Sequence, residues 1–519
     1  MKDFFTIFGY AIHNNSHYSQ TSDNQHLKLH NMKRLNIYLK IFFVLAVILA
    51  AISCAINPVT GKRQIMLMTE DQELALGSQY DPQVISTFGE YKNDALLSFI
   101  KAKTTEMGKI SHRPTLEYHI KILDSPVVNA FAVPGGYIYL TRGILAQLNN
   151  EAELMGVIGH EMGHVTARHS AAQQTKQQLG QMLVMGTMIV SERLAQYAQY
   201  AMQGMELLFL KFSRDDEREA DRLGVRYSSL IGYDAHKMAD FFQVLNKMSM
   251  AESVGGVPTF MSTHPDPGDR YNSVNQLATW WQDSLKLTSP KVGADSFLQL
   301  IDGIIYGEDP RQGYAEGNVF YHPILKFKFS YPAGWRLENT PAQVNMAPED
   351  QKALMIFTLA NERVLKAAAD STLKRLGLVL SDSKQITVNG LPAIATVSKQ
   401  VMKDQNTGAE SANFVLSYFI QYTGYIFVLH GVTAEADFAA FRSPFESSMN
   451  SFSALTDAAK INVKPTKLLI KKVVKTGTMS NALTYYGVKQ DKLAEVALLN
   501  DIELTAQVPA GKLIKVLGE

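Results

Sequence analysis

The sequence has almost no cysteine: one residue in 519, Cys54. That excludes an intramolecular disulfide and any CxxC metal or redox site. An excess of charge is also missing, since 50 Lys and Arg face 49 Asp and Glu for a formal +1. Composition therefore gives no electrostatic reason to expect nucleic acid or an acidic partner. Long apolar runs are scarce too. The strongest, IFFVLAVILAAI from Ile41 to Ile52, falls short of the roughly 20 residues a membrane-spanning helix needs. What is present is an ordinary globular balance, 46% hydrophobic and 19% charged, in a chain long enough for several domains of about 100 to 200 residues each.

The apolar run follows Lys33, Arg34 and Lys40 and leads into Ala51-Ile52-Ser53-Cys54. A basic start, an apolar core of about 7 to 15 residues and small residues at the exit describe a secretory signal peptide. The exit resembles a bacterial lipobox, with Ala51 where leucine is more usual. That resemblance implies lipidation of Cys54, and an uncleaved anchor with an incidental cysteine is the competing reading. Signal peptides begin close to the initiator. Residues 1–31 are therefore expected to be an upstream mis-start or a disordered extension, and 32–53 the lipoprotein signal peptide, opened by Met32 in MKRLNIYLKIFF. Ala55 stands where aspartate would signal inner-membrane retention, so the expected location is the periplasmic face of the outer membrane.

Apolar spacing predicts two helices between Thr69 and Lys109, a strand over Thr115–Leu123, two short strands about Pro134-Gly135-Gly136, and a helix through Gly143 to His169. Residues 171–212, with Met182, Met185 and Met188, read either as a helical hairpin whose methionines fill a core or as a lid over a cleft. Beyond Ser289 the Gly and Pro content of DGIIYGEDPRQGYAEG suggests a linker over 289–317. Strands such as ILKFKFSYP, LPAIATVSK and NFVLSYFIQY then frame two helices in an α+β domain over 318–458, and 467–519 reads as a small strand-helix-strand unit.

The chemistry is concentrated in GVIGHEMGHVTARHS, Gly156 to Ser170. Helix positions i and i+4 lie about 40° apart, so His160 and His164 share a face and can grip one ion, with Glu161 beside the first of them. On a continuous helix His169 lies about 180° from His160 and is excluded from the set. Ala167 and Ser170 occupy the positions where the extended motif HExxHxxGxxH needs glycine and histidine, so the third ligand lies elsewhere. In FSRDDEREADRLG, Glu217 and Asp221 also share a face, while Glu219 is turned about 200° from Glu217. These acids either supply that ligand or simply pair with the stripe of Arg214, Arg218 and Arg222.

HEMGH followed by EREAD resembles the gluzincin metallopeptidases related to HtpX, BepA, Oma and the CAAX prenyl proteases, the forty-eighth metallopeptidase family. NPVTGKRQ, NAFAVPGGYIYLTRGIL and STHPDPGDR extend the likeness from about Asn57 to Asn275. The resemblance implies one Zn2+ per chain held by His160, His164 and Glu217, with Glu161 as general base. It implies that Asp221 orients a ligand histidine or assists proton transfer, and that His264 either stabilises the oxyanion or occupies the open metal position as a switch. Asn129, Ala130 and Phe131 form a plausible edge strand for an extended substrate, with an ordinary core hairpin as the alternative. The C-terminal unit resembles a LysM module, although Gly477 and Thr478 are adjacent where glycan-binding members usually carry an intervening aspartate. Both peptidoglycan binding and protein docking therefore remain open for it.

The expected fold class is α+β: a mainly helical, zincin-like peptidase domain with a small sheet over 54–288, the α+β accessory domain, and the LysM-like unit. The expected activity is zinc-dependent endoproteolysis of misfolded or misassembled envelope proteins by a lipid-anchored enzyme, with no nucleic-acid partner. An assembly scaffold with a latent peptidase, and a cell-wall-binding lipoprotein, are the alternatives.

Overall fold

A computed structural model describes residues 54–184, 212–250, 259–265, 268–403 and 410–519. The expected leader, and Met185 and Met188 of the methionine-rich stretch, lie outside the described residues. Among the described residues no helix is long and apolar enough to cross a membrane.

The chain divides into two units. The described part of the smaller one is a hairpin in which β1 (Cys54–Ile56) runs antiparallel to β2 (Arg63–Ile65), with Cys54 opposite Ile65. Its turn is closed by the Gly61 amide donating to the Asn57 carbonyl at 2.9 Å.

The larger unit begins with α1 (Glu70–Phe88) and α2 (Asp94–Lys109). Thr69 and Gln72 form a reciprocal capping box at the start of α1, and the Asn93 side chain caps α2. The first sheet is short: β3 (His119–Leu123) runs parallel to β5 (Tyr137–Thr141), which pairs antiparallel with the edge strand β4 (Ala130–Val133). The expected strand from Thr115 starts only at His119, because the Leu116 amide turns back to the Arg113 carbonyl at 3.1 Å.

The helix expected through Gly143 to His169 is broken twice. α3 (Arg142–Gln147) stops before Asn150, whose side chain caps α4 (Glu151–Thr166). After Thr166 the backbone leaves the helix, with Arg168 at φ 60°, and α5 (His169–Val184) starts afresh. Downstream are α6 (Arg214–Leu230), α7 (His236–Met250), the short α8 (Thr259–Thr263), α9 (Arg270–Leu285) and α10 (Ala294–Ile301). Ile158 and Met162 of α4, Leu223 of α6, Phe241 of α7 and Val274 of α9 share one core.

The stretch 289–317 is not a bare linker. Phe297 and Ile301 of α10 are buried in that same core, and the carbonyls of Val292 and Gly293 accept from Ala152 and Glu151 at the start of α4. The helical spacing of Phe297, Leu298 and Ile301 outweighs the Gly and Pro content that follows it.

Residues 314–454 form two sheets. A four-stranded one, ordered β16-β8-β7-β6, uses Ser453–Ala454, Phe327–Ser330, Val319–His322 and Tyr314–Glu316. A seven-stranded antiparallel one, ordered β12-β13-β14-β15-β11-β10-β9, uses Val379–Val388, Leu391–Lys403, Glu410–Tyr422, Tyr425–Ala434, Ala353–Leu359, Gln343–Ala347 and Arg336–Asn339. Alternation along the strands sends Phe419 and Val428 to α11 (Leu365–Arg375) and Ile420 and Leu429 to α12 (Phe438–Asn450), so each face is covered by a helix.

After the short α13 (Ala458–Ile461), β17 (Lys467–Lys472) pairs with β20 (Leu513–Gly518). Between them lie α14 (Met479–Tyr485), α15 (Leu493–Leu499) and a two-residue pair of strands, β18 (Gly477–Thr478) with β19 (Gln507–Val508). This βααβ unit is fastened to the helical region. Lys515 is fully buried, and its Nζ donates to the carbonyls of Ala146, Gln147 and Leu148 at the end of α3, and to that of Leu499, at 2.7–3.1 Å.

Candidate metal centre

The centre depends on two helices packed backbone to backbone. A Cβ placed on Gly159 would sit 3.0 Å from the Cα of Gly224, and one on Gly163 would sit 3.1 Å from the Cα of Ala220. The glycines of GHEMGH therefore let α4 and α6 approach closely enough for side chains of both to reach one point.

His160 Nε2 and His164 Nε2 lie 3.1 Å apart. From α6, Glu217 Oε2 is 3.5 Å from the first and Oε1 is 3.4 Å from the second. His264, following α8, brings Nδ1 to 3.0 Å from Glu217 Oε1 and 3.2 Å from His160 Nε2. One ligand atom from each of these residues lies within 4.8 Å of the others. Glu161 faces the same space, with Oε1 3.6 Å from His264 Nε2. All five residues are at most 1% exposed.

Donors that bind zinc at about 2.0–2.1 Å in a tetrahedron are separated by about 3.3 Å. The observed spacings bracket that value. Glu217 Oε2, both Glu161 oxygens and His264 Nε2 are buried without hydrogen-bond partners among the described residues, a costly arrangement for a site that holds no ion. The nitrogen and oxygen set thus fits a zinc ion by spacing and chemistry.

The electrostatics separate the two carboxylates. Burial pushes the Glu161 carboxyl up. Burial also works on Glu217, but the charge of His264 and hydrogen bonds from His160, His164 and His264 hold it well below the usual carboxylate range. Burial lowers His164 well below the ordinary imidazole value. For His160 the same burial is outweighed by Asp221 and Glu217, which hold it up at about 9.

Asp221 Oδ1 accepts from His160 Nδ1 at 3.0 Å and from the Arg270 guanidinium at 2.6 Å. Arg270 carried no role in the sequence reading, although the STHPDPGDR motif contains it. It lies 3.4 Å from Glu217 Oε2 and stacks on Phe242 at 3.6 Å from the ring centroid. His169, excluded on the assumption of one continuous helix, opens α5 and places Nδ1 3.0 Å from His164 Nδ1. Arg218 and Arg222 do pair with acids of their own helix, Asp215 and Glu219, on the exposed side.

Ala130 and Phe131 open the edge strand β4, Asn129 precedes it, and all three are buried; among the described residues both polar atoms of the Asn129 side chain lack a hydrogen-bond partner. A cavity of about 220 Å³, lined by Phe242, Met261, His264, Arg270 and Tyr271 among others, opens beside the centre. Cys54 opens β1 of the hairpin unit.

Two histidines one helical turn apart, a glutamate from a second helix and a buried glutamate facing the same point define the class of HExxH zinc metallopeptidases. Residues 98–278, which include His160, Glu161, His164, Glu217 and His264, match the model named "Peptidase family M48", and this supports a zinc metallopeptidase domain over that stretch. It is 27% identical over 216 residues to a "Beta-barrel assembly-enhancing protease" of Yersinia pestis, covering 40% of this chain and 44% of that protein. It is 26% identical over 272 residues to "Metalloendopeptidase OMA1, mitochondrial" of Bos taurus, covering 48% of this chain and 50% of that one. A "Mitochondrial metalloendopeptidase OMA1" of Arabidopsis thaliana is 30% identical over 195 residues, covering 36% of this chain and 38% of that protein. The chain spans about half the length, or less, of these curated relatives.

Proposed function

We propose that the chain is a zinc-dependent endopeptidase of the bacterial cell envelope that cleaves misfolded or stalled envelope proteins. His160, His164 and Glu217 hold the metal, and Glu161 is the general base. The observation that carries this reading is the convergence of four buried donor atoms within 4.8 Å beside a buried Glu161. Zinc bound there supplies a Lewis acid that polarises a carbonyl oxygen and makes water more acidic. Glu161, its carboxyl pushed up by burial, takes a proton from the attacking water and passes it to the leaving amine. Asp221 fixes the His160 ring through Nδ1.

The likeness to a beta-barrel assembly-enhancing protease of Yersinia pestis supports a substrate among assembling envelope proteins. On this reading Cys54 is the lipid-anchored residue, the chain faces the periplasm from the outer membrane, and β4 receives an extended substrate by strand addition once its buried stretch Asn129–Phe131 is uncovered. The 467–519 unit is LysM-like and docks either peptidoglycan or a protein. The test is cleavage of an unfolded protein by wild type and Glu161→Gln. The variant should retain fold and about one zinc while losing about 10²- to 10⁴-fold in rate, and undiminished hydrolysis sinks the assignment.

One observation favours a second reading, a scaffold with a latent peptidase. His264 Nδ1 stands 3.0–3.2 Å from donor atoms of Glu217 and His160, a position from which it can fill the fourth metal position rather than stabilise an oxyanion. His264→Ala should then cleave faster than wild type. Slower cleavage assigns His264 to the oxyanion instead.

A further inference from the structure

The two histidines of the HExxH pair are held from behind in different ways. Each turns Nε2 toward the cluster, where the two atoms are 3.1 Å apart. The Nδ1 of His160 meets a carboxylate directly, Asp221 at 3.0 Å. The Nδ1 of His164 meets another imidazole, His169 Nδ1, at 3.0 Å, with ring planes inclined at 72°. His169 Nε2 in turn lies 3.3 Å from Glu219 Oε2 and 3.7 Å from Asp216 Oδ1.

We propose that His169 is a positioning residue for His164, relaying the orienting pull of Glu219 to a ring that, among the described residues, no carboxylate backs directly at Nδ1. The proposal rests on the reading of His164 as a metal ligand. With Nε2 of His164 committed to the cluster, its proton lies on Nδ1 and is donated to His169 Nδ1. His169 then carries its own proton on Nε2 and donates it to Glu219. The chain of donors is complete with both rings neutral, and it fixes both tautomers.

The backbone break creates this contact. Arg168 adopts φ 60° and anchors its guanidinium to Glu73 Oε2 at 2.8 Å and to the Met68 carbonyl at 3.1 Å. That turn swings His169 over His164, where it is buried. Glu219 is steadied at its other oxygen by Arg222 at 2.8 Å. It also lies two residues beyond Glu217 on α6, so one helix supplies a ligand to the centre and the terminus of the relay.

The test measures zinc affinity by competition with a chromophoric chelator, together with the melting temperature of the metal-free protein. His169→Leu fills the space without hydrogen bonding, whereas His169→Gln can accept through Oε1 and donate through Nε2. The Leu variant should bind zinc about 10- to 100-fold more weakly with an unchanged metal-free melting temperature, and the Gln variant should recover most of the loss. Wild-type affinity in the Leu variant, or a Gln variant no better than Leu, overturns the relay. A His164→Ala variant with wild-type affinity overturns the ligand reading itself, and the relay with it.

Discussion

Buried polar groups behave differently in the helical region and in the seven-stranded sheet. In the helical region they converge: His160, Glu161, His164, Glu217, Asp221, His264 and Arg270 come from elements far apart in sequence and meet at one point. In the sheet they stay local. Ser417 and His430 face each other across neighbouring strands at 2.7 Å, while the hydroxyls of Thr396 and Ser398 are buried without partners among the described residues. A hydrogen-bonded pair between adjacent strands is explained by sheet packing alone. Convergence of charges from separate helices costs desolvation that packing does not repay, and so it points to function.

Lys515 is the sharpest challenge to that contrast, because it is a buried charge outside the centre. Burial pulls its ammonium down to about 7, with Glu153 and Asp501 pulling the other way. If its three carbonyl contacts at Ala146, Gln147 and Leu148 fasten the C-terminal unit to the helical region, Lys515→Met strands those carbonyls and should cost about 3–5 kcal/mol in urea unfolding. A loss below about 1 kcal/mol would show that the unit is held by apolar contact alone.

His430 tests the other side of the comparison. Burial pushes it down to about 4, against about 6.5 in an unfolded chain. The unfolded state therefore binds more protons across that window, and stability rises with pH. The contribution is complete above about pH 6.5 and is lost as pH falls toward 4, for up to about 3 kcal/mol. His430→Gln should flatten this part of the stability profile, leaving the share of His322, which burial also lowers to about 4. An unchanged slope would mean that His430 is not held neutral in the sheet.

Much of the centre was legible because helical spacing carries it. His160 with His164, and Glu217 with Asp221, are i, i+4 pairs, and a side chain's direction on a helix follows from arithmetic. The same arithmetic failed at His169, because it assumed one continuous helix where the helix in fact stops at Thr166; a non-glycine residue at φ 60° leaves no mark in an apolar pattern. Arg270 and Lys515 escaped for another reason. Their partners lie 49 and 367–369 residues away, except for the nearby carbonyl of Leu499, and no local rule connects them. The helix Ala294–Ile301 was masked by the glycines and proline that follow it, although Phe297, Leu298 and Ile301 already carried its buried face.

The central claim is that α4 and α6 together make one zinc site, with Glu217 as the ligand that completes the HExxH pair. It is tested most directly by the metal content of Glu217→Ala beside wild type and Glu161→Gln. About one zinc per chain is predicted for wild type and Glu161→Gln, with almost none in Glu217→Ala. A Glu217→Ala protein that holds zinc as fully as wild type would contradict the account.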